Sequence, residues 1–152
     1  MIKPDNTEIL RESIRGLLRT QYFAVLCTKG ETHPYCSLVG FAATPDMSHL
    51  VFATMKDTRK YRNLSAEGRV SLLIDSRKNR VEDLKDASAL TALGEVYAVE
   101  SSSDGEHRDL YLERHPHLAP FLADPNTVII CVKVSKYILV SRFQEVFELE
   151  IE

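Results

Sequence analysis

Short apolar runs and stretches of apolar–polar alternation, both typical of β-strands, recur along this chain. The strand-like segments lie at 22–29, 33–44, 49–55, 69–75, 89–100, 126–141 and 145–152. Short connections separate the first three segments, which favours antiparallel hairpins. Gly40 interrupts the second segment and predicts either a bulge or a close approach of another group. The pattern therefore predicts about seven strands.

Helical periodicity occurs in three short segments. An apolar stripe predicts a first helix that ends near Thr20, with Asp5 and Glu8 as a capping box at its start. A second helix is expected over 58–68, and a third, capped by Ser103 or Asp104, is expected to continue through Leu112. Strands outnumber helices and do not alternate with them, so we expect a mainly β fold with short helices. A closed or half-closed antiparallel barrel of six to seven strands is the simplest solution.

Composition narrows the class of protein. The 152 residues, 44% of them hydrophobic, fit a single domain over 1–152 with a proper core. The start MIKPDNTEIL has no apolar signal core, and no apolar run approaches membrane-spanning length. Cys27, Cys36 and Cys131 form no CxxC motif, and we expect them to be reduced and partly buried, with Cys36 packed in the core. We therefore expect a cytoplasmic protein that has no membrane partner.

A cluster of cations surrounds the start of the second predicted helix. It consists of Lys56, Arg59, Lys60 and Arg62, with Asp57 as the only acid among them. A helix N-terminus carries partial positive charge, so each cation there is disfavoured by roughly 0.3–1 kcal/mol. Unpaired backbone N–H groups and cations together bind anions well. The cluster therefore indicates an anion site, with a merely solvated basic face as the alternative.

Side-chain spacing sharpens this prediction. Asp57 or Thr58 can cap the helix. Asn63 lies four residues after Arg59 and three after Lys60, so the three side chains share a face. Together they offer a hydroxyl, a guanidinium, an ammonium and an amide to one small anion, a set that suits a phosphate.

Four sequence features occur in a fixed order between residues 34 and 75. They are PYCSLV at 34–39, FAT at 52–54, TRKYRNL at 58–64 and RVSLLID at 69–75. This order resembles the flavin-binding split-barrel family, also called pyridoxamine 5′-phosphate oxidase-like, from about Leu18 to Glu150. The resemblance implies a homodimer of six-stranded Greek-key barrels with FMN in a groove between the subunits. The apolar segment VIICVKV at 128–134 and the alternating FELEI after it also lead us to expect a partner chain.

The resemblance also implies roles for particular residues. Arg59 and Lys60 would hold the phosphate of FMN, with assistance from Thr58 and Asn63. Further residues would line the flavin edge: Ser37, Leu38, Val39, Phe52, Ala53 and Thr54. The flavin supplies the chemistry, so no catalytic side chain is expected. A deazaflavin with the same phosphate anchor is the alternative cofactor, and His115-Pro116-His117 is expected to be a helix-terminating loop, not a metal site.

The leading functional hypothesis is an FMN-dependent oxidoreductase that transfers hydride or electrons to or from a small molecule. A reduced nicotinamide or another donor would supply the electrons. The alternative is a non-enzymatic flavin- or haem-binding protein for sensing, storage or haem utilisation, because TALGEVYAV and YLERHPHLAPF resemble the haem-utilisation branch. The chain ends two residues after Glu150, without an Arg-rich segment, so pyridoxine phosphate is not the expected substrate. No nucleic-acid partner is expected, because Tyr61 is the only aromatic residue among the cations.

Overall fold

Seven antiparallel strands form one sheet in the computed structural model, which describes residues 6–142 and 144–152. The strands are β1 (Phe23–Lys29), β2 (Pro34–Ala43), β3 (His49–Met55), β4 (Arg69–Asp75), β5 (Ala89–Ser101), β6 (Thr127–Ser141) and β7 (Glu145–Glu150). Their order is β3-β2-β1-β4-β5-β6-β7, and β3 also pairs with β6. Six strands therefore close into a barrel with β7 as an extra strand. Because β4 returns beside β1, the first four strands form a Greek key, and the predicted split barrel is confirmed.

Strand β6 holds the barrel together because it pairs with three other strands. Its first half pairs with β3, from Thr127↔Met55 to Lys133↔His49, and its second half pairs with β7. Strand β5 lies along both halves. The side chains from Val128 to Val132 are all buried within the chain, as expected for a strand covered on both faces. The assignment of segment 128–134 to a partner surface is therefore wrong.

Apolar side chains form two adjacent buried cores. Alternate residues of the strands fill the barrel interior, among them Leu26, Phe41, Phe52, Leu72, Ile74, Leu90 and Ile130. A second cluster on the opposite face of β3 and β6 joins Val51, Ile129 and Cys131 to Tyr111 and Leu122. This second core explains why β6 has no polar alternation in its first half.

The helices are α1 (Asn6–Thr20), α2 (Arg59–Ala66), α3 (Asp83–Asp86), α4 (Glu106–Arg114) and α5 (Ala119–Leu122), with a 3-10 turn at Pro116–Leu118. Helix α1 ends where predicted and buries Ile14, Leu17 and Leu18; Asp5 lies outside the described residues. The prediction of three helices missed α3 and α5, because four residues are too few to show a periodic stripe. No helix in the described ranges has the length and apolar character needed to cross a bilayer.

Candidate functional site

Thr58 sets the start of α2 directly after β3. Its backbone is extended, and its Oγ1 accepts a hydrogen bond from the backbone N–H of Tyr61 at 3.3 Å. The same hydroxyl donates to the carbonyl of Met55 at 3.0 Å and lies 3.0 Å from Oγ1 of Thr54. Thr58, and not Asp57, is therefore the cap, and its side chain is occupied in holding the β3–α2 junction.

The cations at this junction have no carboxylate partner in residues 6–142 and 144–152. Lys56, Arg59 and Arg62 are exposed, and Lys60 is half-buried. The guanidinium carbon of Arg59 lies 5.2 Å from the ring centroid of Tyr35, a cation–π contact. A bound anion would relieve the repulsion among these cations and interact with the helix N-terminus.

Asn63 connects α2 to the β1–β2 hairpin. Its Nδ2 donates to Oγ1 of Thr28 at 3.1 Å, and that hydroxyl donates to the carbonyl of Tyr35 at 3.3 Å. Thr28 is buried and its two partners are half-buried, so this chain of bonds is partly shielded from water. Sequence reasoning missed both Thr28 and Tyr35, although Tyr35 lies in the PYCSLV feature on which the resemblance rests.

A pocket of about 730 Å³ lies between α2 and the hairpin. Arg59, Arg62 and Asn63 line it from the helix, and residues 29–35 line it from the hairpin. The structure thus brings Arg59 and Asn63 together on one wall, as predicted, whereas Lys60 does not line this pocket. The pocket offers a ligand two guanidinium groups and one amide, and Lys29, Glu31 and Glu67 also lie on its walls.

The six residues expected along the flavin edge divide by burial. Val39 and Phe52 are barrel-core residues, and Ala53 and Thr54 are also buried. Their side chains are covered within this chain, so contact with a ligand would come mainly from backbone. Leu38 is 68% exposed, on the outer face of the sheet.

Ser37 points to the opposite face from Leu38, because neighbours on a strand alternate. Its Oγ is buried and has no hydrogen-bond partner among the described residues. An unpaired buried hydroxyl costs roughly 1–3 kcal/mol. A polar ligand atom within its reach would remove that cost, so Ser37 fits the role of a ligand contact.

A pocket of greater volume lies elsewhere. It measures about 940 Å³ and lies on the outer face of the sheet, lined by residues that include Cys27, Ser71, Leu93 and Lys133. Its walls carry both signs of charge, with Lys29, Arg69 and Lys133 facing Glu31, Glu95 and Glu152. The candidate site is assigned from the cations at the start of α2, which have no carboxylate partner among the described residues, and not from cavity volume.

His107 forms a second polar arrangement on α4. Its Nδ1 lies 2.7 Å from a carboxylate oxygen of Glu100, and its Nε2 lies 3.9 Å from Sγ of Cys131. Cys131, His107 and Glu100 thus lie in the order of a nucleophile, a base and an acid. Cys131 is fully buried, and this burial raises the pKa of its thiol to about 11. A thiol that is neutral and inaccessible cannot attack a substrate, so the arrangement is structural.

His115 is also buried, which the expected loop at 115–117 did not indicate. Its Nε2 lies 2.8 Å from the carbonyl of Phe41, and burial lowers its pKa. No group of three or more His, Cys, Asp or Glu side chains in the described ranges is arranged to hold a metal ion. His115 therefore acts in packing α4 against β2.

Several solved structures share this fold at low sequence identity. A haem-binding protein from Mycobacterium smegmatis has a TM-score of 0.78 at 15% identity, with 99% of this chain and 60% of that chain covered. An F420 reductase has a TM-score of 0.61 at 20% identity, with coverages of 89% and 98%. A FAD-binding protein from Mesorhizobium loti has a TM-score of 0.62 at 15% identity, with coverages of 83% and 90%. At these identities the similarity shows the fold alone.

Comparison with curated proteins finds no significant match. The sequence profile of the pyridoxamine 5′-phosphate oxidase family, in contrast, matches residues 10–141, which is most of the chain. The order of motifs between residues 34 and 75 and the barrel topology agree with that match. The chain therefore belongs to the pyridoxamine 5′-phosphate oxidase family.

Proposed function

We propose that this protein binds FMN and acts as an oxidoreductase on a small molecule. The observation that carries the proposal is the set of cations around the Thr58 cap, at the start of α2, for which the described residues provide no carboxylate partner. Family membership and the FAD-binding protein of the same fold support a flavin as the ligand. Bound flavin would supply hydride and electron transfer, and the chain would bind and orient it.

Each residue of the candidate site has a distinct part in this proposal. Arg59 would hold the phosphate through its guanidinium fork, and Lys60 would add a second charge. Thr58 would hold the helix end in place with its backbone N–H groups free, and Asn63 would fix α2 against the hairpin. The flavin edge would contact Ser37 through its side chain, and Leu38, Val39, Phe52, Ala53 and Thr54 mainly through backbone.

The proposal includes a homodimer in which a second subunit completes the groove. Large apolar side chains remain exposed on the outer face of the sheet, with Phe23 58%, Leu38 68% and Val146 58% accessible. Apolar surface of this kind favours association. Light scattering of the flavin-loaded protein should give twice the chain mass, and a monomer with bound flavin would contradict the dimer.

Haem or deazaflavin binding is the second candidate. The haem-binding protein from Mycobacterium smegmatis shares the fold over 99% of this chain, and the F420 reductase shares it over 89%. The phosphate site of α2 suits a deazaflavin as well as FMN. As an oxidoreductase, the protein would oxidise or reduce a small-molecule substrate. In a storage or sensing role it would have no such substrate.

Parallel titrations distinguish these functions. Protein freed of small molecules is titrated with FMN, coenzyme F420 and haemin, and binding is followed by absorbance and fluorescence. Saturable FMN binding followed by bleaching with NADH or NADPH would support a flavin oxidoreductase using a nicotinamide donor. FMN binding without reduction by any donor would favour a non-enzymatic flavoprotein. Binding of haemin alone would show that the first proposal is wrong.

A further inference from the structure

Two cysteines face each other across the β1–β2 ladder, outside the candidate site. Cys27 and Cys36 are direct partners in the register, and their Sγ atoms lie 3.5 Å apart. Cys36 is exposed, and Cys27 is half-buried on the wall of the 940 Å³ pocket. The expectation that Cys36 packs in the core is wrong, because its place on the strand faces outward.

The backbone at this pair suits a cross-strand bond. The N–H of Gly30 donates to the carbonyl of His33 at 3.1 Å, which marks the first pair of the hairpin as hydrogen-bonded. Bonded and non-bonded pairs alternate along an antiparallel ladder, so the pair Cys27↔Cys36 is non-hydrogen-bonded. Such pairs have Cα atoms about 4.5 Å apart, within the range that a disulfide spans. The Sγ atoms need to move closer by about 1.5 Å to reach a disulfide length.

We propose that Cys27 and Cys36 form a dithiol oxidation site, which hydroperoxides convert reversibly to an intramolecular disulfide. The thiols differ in accessibility, and this sets the order of the steps. Burial and the hydrogen bond to Cys36 raise the pKa of Cys27 to about 11, so Cys27 is the poorer initial nucleophile. Cys36 is the exposed thiol that the oxidant meets first.

The chemistry balances with hydrogen peroxide as the oxidant. Sγ of Cys36 attacks one peroxide oxygen, an S–O bond forms, the O–O bond breaks, and one water leaves. Sγ of Cys27 then attacks Sγ of Cys36, an S–S bond forms, the S–O bond breaks, and a second water leaves. The two thiols lose two electrons in total, and the peroxide gains them. A small thiol reverses the reaction by exchange.

Thiol counting and peptide mapping test the proposal on the protein as purified. Reduced protein, freed of reductant, is exposed to hydrogen peroxide, and its thiols are counted after denaturation. We expect the count to fall from the three thiols of the sequence to one, and to return to three with dithiothreitol. Trypsin cuts after Lys29, between the two cysteines, so a disulfide should join peptides 20–29 and 30–56. Closing this short loop should also raise the melting temperature by about 5–10 °C.

Three variants make the result specific. Cys36→Ser should lose the reaction with peroxide, and Cys27→Ser should stop at a sulfenic acid on Cys36 that dimedone traps. Cys131→Ala is the matched control and should still form the linked peptides; if it does not fold, the peptide map of the wild type identifies the bond. Three thiols remaining after peroxide, a disulfide between chains, or over-oxidation of Cys36 without a link would each overturn the proposal.

Discussion

The imidazole ring of His115 lies directly against Gly40, in a space that a larger residue would fill. A Cβ atom at Gly40 would come within 3.1 Å of Cε1 of His115. Nε2 of the same ring lies 2.8 Å from the carbonyl of Phe41, so we assign the hydrogen to Nε2 from the acceptor it meets. The close approach anticipated at Gly40 is thus made by the side chain that follows α4, 75 residues later in the chain.

Replacing Gly40 should therefore destabilise the fold. In Gly40→Ala, the new methyl group forces the buried ring to shift and weakens its bond to Phe41, which should lower the free energy of unfolding by about 1–3 kcal/mol. Gly16→Ala is the control, because Gly16 lies in α1 with nothing within 4 Å of its added Cβ. That change should stabilise the protein by roughly 0.5–1 kcal/mol. If urea denaturation gave the same change in the free energy of unfolding for Gly40→Ala and Gly16→Ala, the close packing of His115 against Gly40 would be contradicted.

His115 should also make stability depend on pH. Burial lowers its pKa below the ordinary value of 6.5, so the unfolded chain binds the proton first as pH falls. Stability contributed by the neutral ring is present above about pH 6.5 and is lost as pH falls toward the folded-state pKa. His115→Gln keeps a donor for Phe41 but cannot titrate, so its melting temperature should fall less between pH 7 and pH 5. His33→Gln, at an exposed site, should retain the dependence of the wild type.

Tyr137 holds the β2–β3 turn from inside the barrel. Its hydroxyl donates to the carbonyl of Met47 at 2.8 Å, and both side chains are buried. Met47 has φ 65°, in the left-handed region, which is unfavourable for a residue with a side chain. Tyr137→Phe leaves a buried carbonyl unpaired and should lower the free energy of unfolding by about 1–3 kcal/mol. Tyr97→Phe, at a side chain 67% exposed, should change it by less than about 0.5 kcal/mol.

The phosphate anchor can be tested independently of the reaction. Hydrogen bonds to charged groups contribute roughly 1.5–3 kcal/mol, so Arg59→Ala or Lys60→Ala should weaken FMN binding by about 10- to 150-fold. Folding should be unaffected, because these cations have no carboxylate partner among the described residues. Isothermal titration calorimetry at one fixed salt concentration measures the affinity.

Riboflavin and two further variants serve as controls for the anchor. Riboflavin lacks the phosphate, so its weaker binding should be unchanged in Lys60→Ala. Lys85→Ala removes a cation from α3, away from the site, and should leave FMN affinity unchanged. Leu64→Ala removes a buried side chain and should lower stability by about 2–5 kcal/mol. Equal losses of FMN and riboflavin affinity in Lys60→Ala would show that the cation does not bind the phosphate.

Local sequence patterns were sufficient to predict the strands and the start of α2. Strands β3 and β4 have the predicted bounds, 49–55 and 69–75. A continuous apolar run predicted β3, and alternation predicted β4, where each residue's face follows from its neighbours two positions away. Thr58 caps α2 because a short hydroxyl side chain can reach the N–H groups of its own helix. The position of Arg59 and Asn63 on one pocket wall follows from their spacing of four residues.

Contacts between distant segments were decided only by the tertiary structure. The pairing of β3 with β6 buries both faces of 128–132, and this reversed the assignment of that segment to a partner. The contact of His115 with Gly40, the facing thiols of Cys27 and Cys36, and the unpaired hydroxyl of Ser37 depend likewise on register and closure. A periodic pattern determines which face a residue takes on its own strand. Which group it then meets is decided by the strands and helices that pack against that face, since closing the barrel brings together residues that local sequence does not relate.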